Sequence, residues 1–149
     1  LNGRDAKDPK DRAQERAAAE LGIEVLRFPM GGNGLEADGT MTRHVQAVAA
    51  ICQARQEGKR VLIQCAAGAN RTGGVVATYE LLVERLAPRA VLAHMRKFRY
   101  SSRANPTLLA YLNRNMPEAA QELVDLGVIE DVPASLTICS SRHIAAAGH

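Results

Sequence analysis

Tryptophan is absent, and aromatic side chains make up only 3% of the 149 residues. Proteins that grip nucleic acid cluster their cations and interleave them with rings for stacking. A net charge of +3 in so aromatic-poor a chain therefore speaks against a nucleic-acid partner and suits a small anionic substrate. Cysteine is scarce: Cys52, Cys65 and Cys139 are too few and too scattered for a disulfide framework or a zinc site. No metal and no cofactor are expected, and a reducing, cytoplasmic compartment is. No apolar run approaches the roughly 20 residues that cross a bilayer, and no signal peptide is visible, so no membrane span is expected. The first residue is Leu1 rather than Met, so upstream sequence is expected to be missing.

What is present reads as one globular domain: 46% hydrophobic and 23% charged residues. Residues 1–4 read as the end of a strand. Asp8-Pro9 supplies an N-cap and a first-turn proline for a helix running to Gly22. "IEVLRF" (23–28) alternates as a strand does, and "PMGGNGLEADG" (29–39) is a glycine-rich loop. Val45, Val48, Ile51 and Cys52 have helical spacing, with Gly58 as the stop. "RVLIQC" (60–65) is the most strand-like run, followed by a helix over 72–86. Three further helices are predicted, over about 88–98, 106–115 and 117–126. Strands alternating with helices predict an α/β fold, a mostly parallel central sheet flanked by helices, with a helical C-terminal block. The domain is expected over 1–132, with a loosely ordered tail at 133–149.

The segment "VLIQCAAGANRTGG" (61–74) carries the chemistry. A strand, a tight loop and a helix N-terminus make an anion site, where loop N–H groups and the helix dipole converge. Ala66, Ala67, Gly68 and Ala69 are small enough to leave that backbone open, with Asn70 closing the loop. Arg71 adds a planar fork that grips two phosphate oxygens. Cys65 at the mouth of this positive ring is expected to be held as thiolate, with the Thr72 hydroxyl directed at its sulfur. A nucleotide-binding P-loop fails here, because the lysine position holds Arg71 and Gly68 has no earlier glycine partner. A plain buried cysteine would require neither the arginine nor the Thr-Gly that follows it.

"CAAGANRTG" resembles the C-x2-G-x2-R-[ST]-G signature of cysteine-dependent protein tyrosine and dual-specificity phosphatases. Residues 1 to about 127 follow the element order of the small, atypical dual-specificity type. The resemblance implies Cys65 as nucleophile, Arg71 as phosphate clamp, residues 66–71 as the phosphate-binding loop and Thr72 as the hydroxyl that assists breakdown of the intermediate. It also implies that Asn105, in "RYSSRANPTLLAYL", braces the phosphate loop; an N-cap role before Pro106 accounts for Asn105 equally well.

Two positions depart from the family. Gln64 stands where a histidine usually precedes the nucleophile, which implies a less depressed thiol. The general acid is normally an aspartate on the loop after the preceding strand; here Asp38 is the best substitute and Glu36 the next, while capping of the helix at Thr40 explains Asp38 as well. His44 and His94 have no partners at metal-ligand spacing. Cys52 reads as a core residue, and as a resolving thiol for Cys65 only if folding joins the two sulfurs. Arg96, Lys97, Arg99 and Arg103 either rim the anionic site or face solvent.

The expected function is phosphomonoester hydrolysis through a phosphocysteine, without metal, on a phosphorylated substrate. Phosphoprotein is favoured over inositol phosphate because the cradle side chains are neutral. The alternatives are a pseudophosphatase that binds phosphorylated partners without turnover, and an inositol-phosphate phosphatase.

Overall fold

The computed structural model describes residues 1, 3, 7–32 and 40–138, and among them it contains five helices and no strand. The helices are α1 (Pro9–Glu20), α2 (Thr40–Gln56), α3 (Asn70–Leu82), α4 (Pro88–Lys97) and α5 (Pro106–Asp125). Their starts follow local chemistry. The Asp8 carboxylate accepts from the Lys10 N–H at 2.8 Å, with Pro9 in the first turn of α1. Pro88 and Pro106 likewise occupy the first turns of α4 and α5, α5 with a side-chain cap from Asn105 and α4 without one.

Packing centres on α3, which contacts α2, α4 and α5. It is buried on nearly every side through Val75, Ala77, Thr78, Leu81 and Leu82. Val45 and Val48 of α2, Val91 of α4, and Leu112, Met116 and Leu123 of α5 close around it. Burying side chains of this size contributes about 1.5–3 kcal/mol each before entropy is counted. Only Ala18 of α1 is buried. The Arg27 guanidinium ties α1 to the segment that follows, pairing with Glu15 at 3.3 Å and Asp11 at 3.8 Å.

The expected α/β fold with a mostly parallel central sheet is overturned. Neither 23–28 nor 60–65 forms a strand, and the two exchange no ladder of hydrogen bonds. Alternation and branched side chains are properties of one run, whereas a strand needs a neighbour for its N–H and C=O groups. A central parallel strand would be covered on both faces, yet Leu62 is 84% exposed and Ile23 and Leu26 are also in solvent. For the expected strand at 1–4, the described contacts are the Leu1 amino group donating to the Gln64 carbonyl at 2.9 Å and the Arg27 guanidinium donating to the Gly3 carbonyl at 3.4 Å.

The predicted break at Pro117 is also absent: one helix runs from 106 to 125 with the proline inside it. An interior proline costs about 3 kcal/mol. Met116, Ala119, Ala120 and Leu123 are buried on both sides of it, and this shared apolar face outweighs the lost bond. Beyond α5 the chain returns to the core at Ile138, which is fully buried. The Asn113 carboxamide clasps its backbone, accepting from the Ile138 N–H at 2.8 Å and donating to the carbonyl at 3.2 Å. No helix of the described residues is long and apolar enough to cross a membrane.

Candidate active site

The corner at Cys65 retains its loop-to-helix form although the run before it is not a strand. Ile63 packs against the core, and the chain then turns outward through Cys65 and the loop 66–69. Gly68 takes φ +66°, the left-handed region in which a side chain is strained. α3 begins at Asn70, and its N-cap is Ala69, which has no side chain able to accept a hydrogen bond. By contrast, Asp8 and Asn105 cap α1 and α5. The first N–H groups of α3 are thus left without a side-chain acceptor, at the positive end of a helix dipole.

Those groups act on the sulfur. Partial burial pushes the Cys65 thiol up, but the Thr72 hydroxyl and the N–H groups of Thr72, Ala67 and Gly68 outweigh it and draw the pKa down to about 7. Thr72 Oγ1 is buried and completes no hydrogen bond of full geometry among the described residues, so its proton is free to turn toward the sulfur. Gln64 is exposed, and the lowering is supplied by the loop and Thr72 instead of by the preceding residue.

Arg71 lies on the first turn of α3 and forms no ion pair among the described residues. Its stem passes Gly32 so closely that a Cβ there would stand 3.2 Å from Arg71 Cγ and 3.7 Å from Nε. Gly32 is held in turn by Asn105, whose Nδ2 donates to the Gly32 carbonyl at 2.6 Å. Asn105 is 5% exposed, and its Oδ1 accepts from the Leu108 N–H at 3.3 Å. Asn105 thus caps α5, while its side-chain amide runs to Gly32, against which Arg71 packs, and makes no hydrogen bond to the loop 66–69 among the described residues. The Tyr100 hydroxyl donates to the Asn105 carbonyl at 3.3 Å.

Behind the cradle lies His44, whose burial lowers its pKa to about 4, opposed by a backbone hydrogen bond with Gly74. The neutral ring meets Thr78 Oγ1 at 3.4 Å, and that hydroxyl donates to the Gly74 carbonyl at 2.9 Å. Sequence reasoning left His44 without a role and missed Gly32; the only signal for the latter was the density of glycine in its loop. His94 pairs with Glu80 at 3.0 Å. Cys52 lies near Arg55 and Glu84, and burial pushes its thiol up, which makes it a poor nucleophile. Asp38 and Glu36 lie outside the described residues. A cavity of about 740 Å³ lined by Ile51, Val61, Val76, Tyr79 and Leu86 includes none of the cradle residues. Among the described residues no three His, Cys, Asp or Glu side chains gather where they could hold a metal ion.

This geometry can bind a tetrahedral anion and present a thiolate to its central atom. Comparison with known proteins adds no relative, since no family model, no curated protein and no solved structure matches the chain.

Proposed function

We propose that the protein is a cysteine-dependent phosphatase of the dual-specificity type, acting on phosphoprotein. The observation that carries this reading is the turn at Gly68 into the uncapped start of α3, where Thr72, Ala67 and Gly68 draw the Cys65 thiol down to about 7. Arg71, on the first turn of α3 and without an ion pair among the described residues, supports the same reading.

In the first step the Cys65 thiolate attacks phosphorus, an S–P bond forms, and the P–O bond to the leaving group breaks. The departing oxygen takes a proton, for which Asp38 is the proposed donor. Loop amides and Arg71 stabilise the charge on the equatorial oxygens. Water then attacks phosphorus and gives its proton to the Asp38 carboxylate left by the first step, the S–P bond breaks and inorganic phosphate leaves. The thiolate departs toward the Thr72 hydroxyl, which donates to it. Apart from the substrate and the attacking water, every group these steps use belongs to the chain. The neutral side chains of Ala66, Ala67 and Ala69 suit a substrate whose charge is concentrated in one phosphoryl group.

The test is hydrolysis of p-nitrophenyl phosphate with EDTA present, over about pH 5 to 8, in wild type and Cys65→Ser. Turnover that disappears in Cys65→Ser is expected. Retention of more than about a tenth of the rate would sink the covalent mechanism. Absence of turnover in wild type, with tungstate still bound, would assign a phosphate-binding module instead.

A further inference from the structure

The cavity of about 740 Å³ shares no residue with the cradle and has no part in the steps above. Its size is that of a small-ligand site, roughly 300–1,000 Å³. Ile51, Val61, Ile63, Val76 and Leu86 give it branched aliphatic walls, drawn from α2, the run 60–65, α3 and the connection to α4. A hollow of this kind costs contacts along its whole lining, since the wall atoms have no partners on one side.

The polar groups on its wall form a fixed set. The Arg55 guanidinium lies 5.7 Å from the centroid of the Tyr79 ring, and donates to the Tyr79 hydroxyl at 2.7 Å and to Glu84 Oε1 at 3.0 Å. The Tyr79 hydroxyl donates to the same Glu84 oxygen. Burial and that bond push the Tyr79 phenol up to about 12, so it stays neutral. Both carboxylates of the wall are therefore engaged: Glu84 by Arg55 and Tyr79, and Glu80 Oε1 by His94 at 3.0 Å. The second Glu80 oxygen is buried and offers no surface to a ligand. Lys59 holds Glu57 at 2.6 Å and Glu24 at 3.6 Å. Arg60, which also lines the cavity, has no ion pair among the described residues. Aliphatic walls, occupied acids and one guanidinium left to pair thus meet in one place.

We propose that this cavity binds an amphipathic monocarboxylate, with its aliphatic chain against Val61, Ile63, Val76 and Leu86 and its carboxylate on Arg60. A guanidinium meets a carboxylate with two parallel hydrogen bonds. One negative charge matches the one unpaired cation, whereas a cationic head would face Arg55, Lys59 and Arg60 together. The site is independent of the chemistry assigned to Cys65.

The test uses cis-parinaric acid, a fluorescent carboxylate of this class, displaced by decanoate or decanol below micelle-forming concentrations. Wild type is expected to bind the acid with enhanced emission and to release it to decanoate about threefold more readily than to decanol. Arg60→Gln should remove that difference, and Arg60→Glu should weaken parinaric acid about tenfold, because it replaces attraction by repulsion. Position 60 is exposed, so neither change endangers folding. Val61→Glu, at a wall position that is 42% exposed, places a charge against the chain and should weaken binding by a similar factor. Absence of parinaric acid binding overturns the site, as does binding unchanged in both Arg60→Glu and Val61→Glu. Equal displacement by decanoate and decanol in wild type overturns the assignment of the carboxylate to Arg60. Release of parinaric acid by tungstate would place it in the cradle and overturn the proposal equally.

Discussion

The His44 ring fills the space that a side chain on Gly74 would occupy: a Cβ there would stand 2.8 Å from Cε1. Alanine normally stabilises a helix interior by up to about 1 kcal/mol over glycine. At position 74 the sign should reverse, because the ring is 1% exposed and has nowhere to move. Gly74→Ala is expected to cost about 1–3 kcal/mol by urea denaturation. Gly73→Ala, where a Cβ meets nothing within 4 Å, should cost nothing or stabilise. Equal behaviour of the two variants would refute the close approach.

The same histidine sets an acid limit. Its pKa in the folded protein, about 4, lies below the ordinary 6.5, so the unfolded chain takes up its proton first as pH falls. The stability it contributes is complete above about 6.5 and is lost progressively from there down to about 4. The slope should approach about 1.4 kcal/mol per pH unit inside that window, and the whole loss should be on the order of 3 kcal/mol. Denaturant midpoints measured at closely spaced pH values should show this slope in wild type and a flatter line in His44→Phe. Parallel lines would remove His44 as its source.

Thiolate formation at Cys65 is open to direct titration. Alkylation by iodoacetamide should follow a midpoint near 7, below the 8.5 of a free thiol. Thr72 Oγ1 is the largest lowering influence, so Thr72→Val should move that midpoint upward while the loop amides keep it below the free value. A wild-type midpoint at the free-thiol value would mean that the amides do not converge on the sulfur.

Asn105 carries two separable contacts. Asn105→Ser retains a cap for the Leu108 N–H but cannot reach the Gly32 carbonyl, and Asn105→Ala loses both. The alanine variant should be less stable by about 1 kcal/mol more than the serine variant in thermal unfolding. Tungstate binding should weaken several-fold in both, since in both Gly32 is released from beside Arg71. Weakening confined to the alanine variant would reduce Asn105 to a helix cap.

Proton donation is tested through the leaving group. Asp38→Asn should slow an alkyl phosphate on the order of 10²-fold and an activated aryl phosphate far less. It should also flatten the basic limb of the pH–rate profile. Small, equal effects on both substrates would leave Asp38 as a helix cap and direct attention to Glu36→Gln.

The helices were legible because their signals lie within a few residues of one another. Asp8-Pro9 opens α1, and Val91, Leu92 and Met95 share one face of α4. The loop running into a helix after Cys65 was legible for the same reason, since Cys65, Gly68, Arg71 and Thr72 fall within one turn of loop and one of helix. The sheet was misread because 23–28 and 60–65 have the side chains of strands, while pairing depends on what lies alongside. Pro117 was read as a break because its local cost is visible and the buried face spanning it is not. Contacts between distant positions were the hardest to foresee: Gly32 and Asn105 are 73 residues apart, and nothing local at either announces the other.

The clasp of Asn113 on Ile138 bears on the order of events during synthesis. Ile138 is fully buried in the core that the earlier helices build, so part of that core's apolar surface stays uncovered until it emerges. At about 5–20 residues per second, the stretch from Asn113 to Ile138 takes on the order of seconds to appear. Throughout that interval the nascent chain exposes the surface that Ile138 later seals, and a chaperone would find it then.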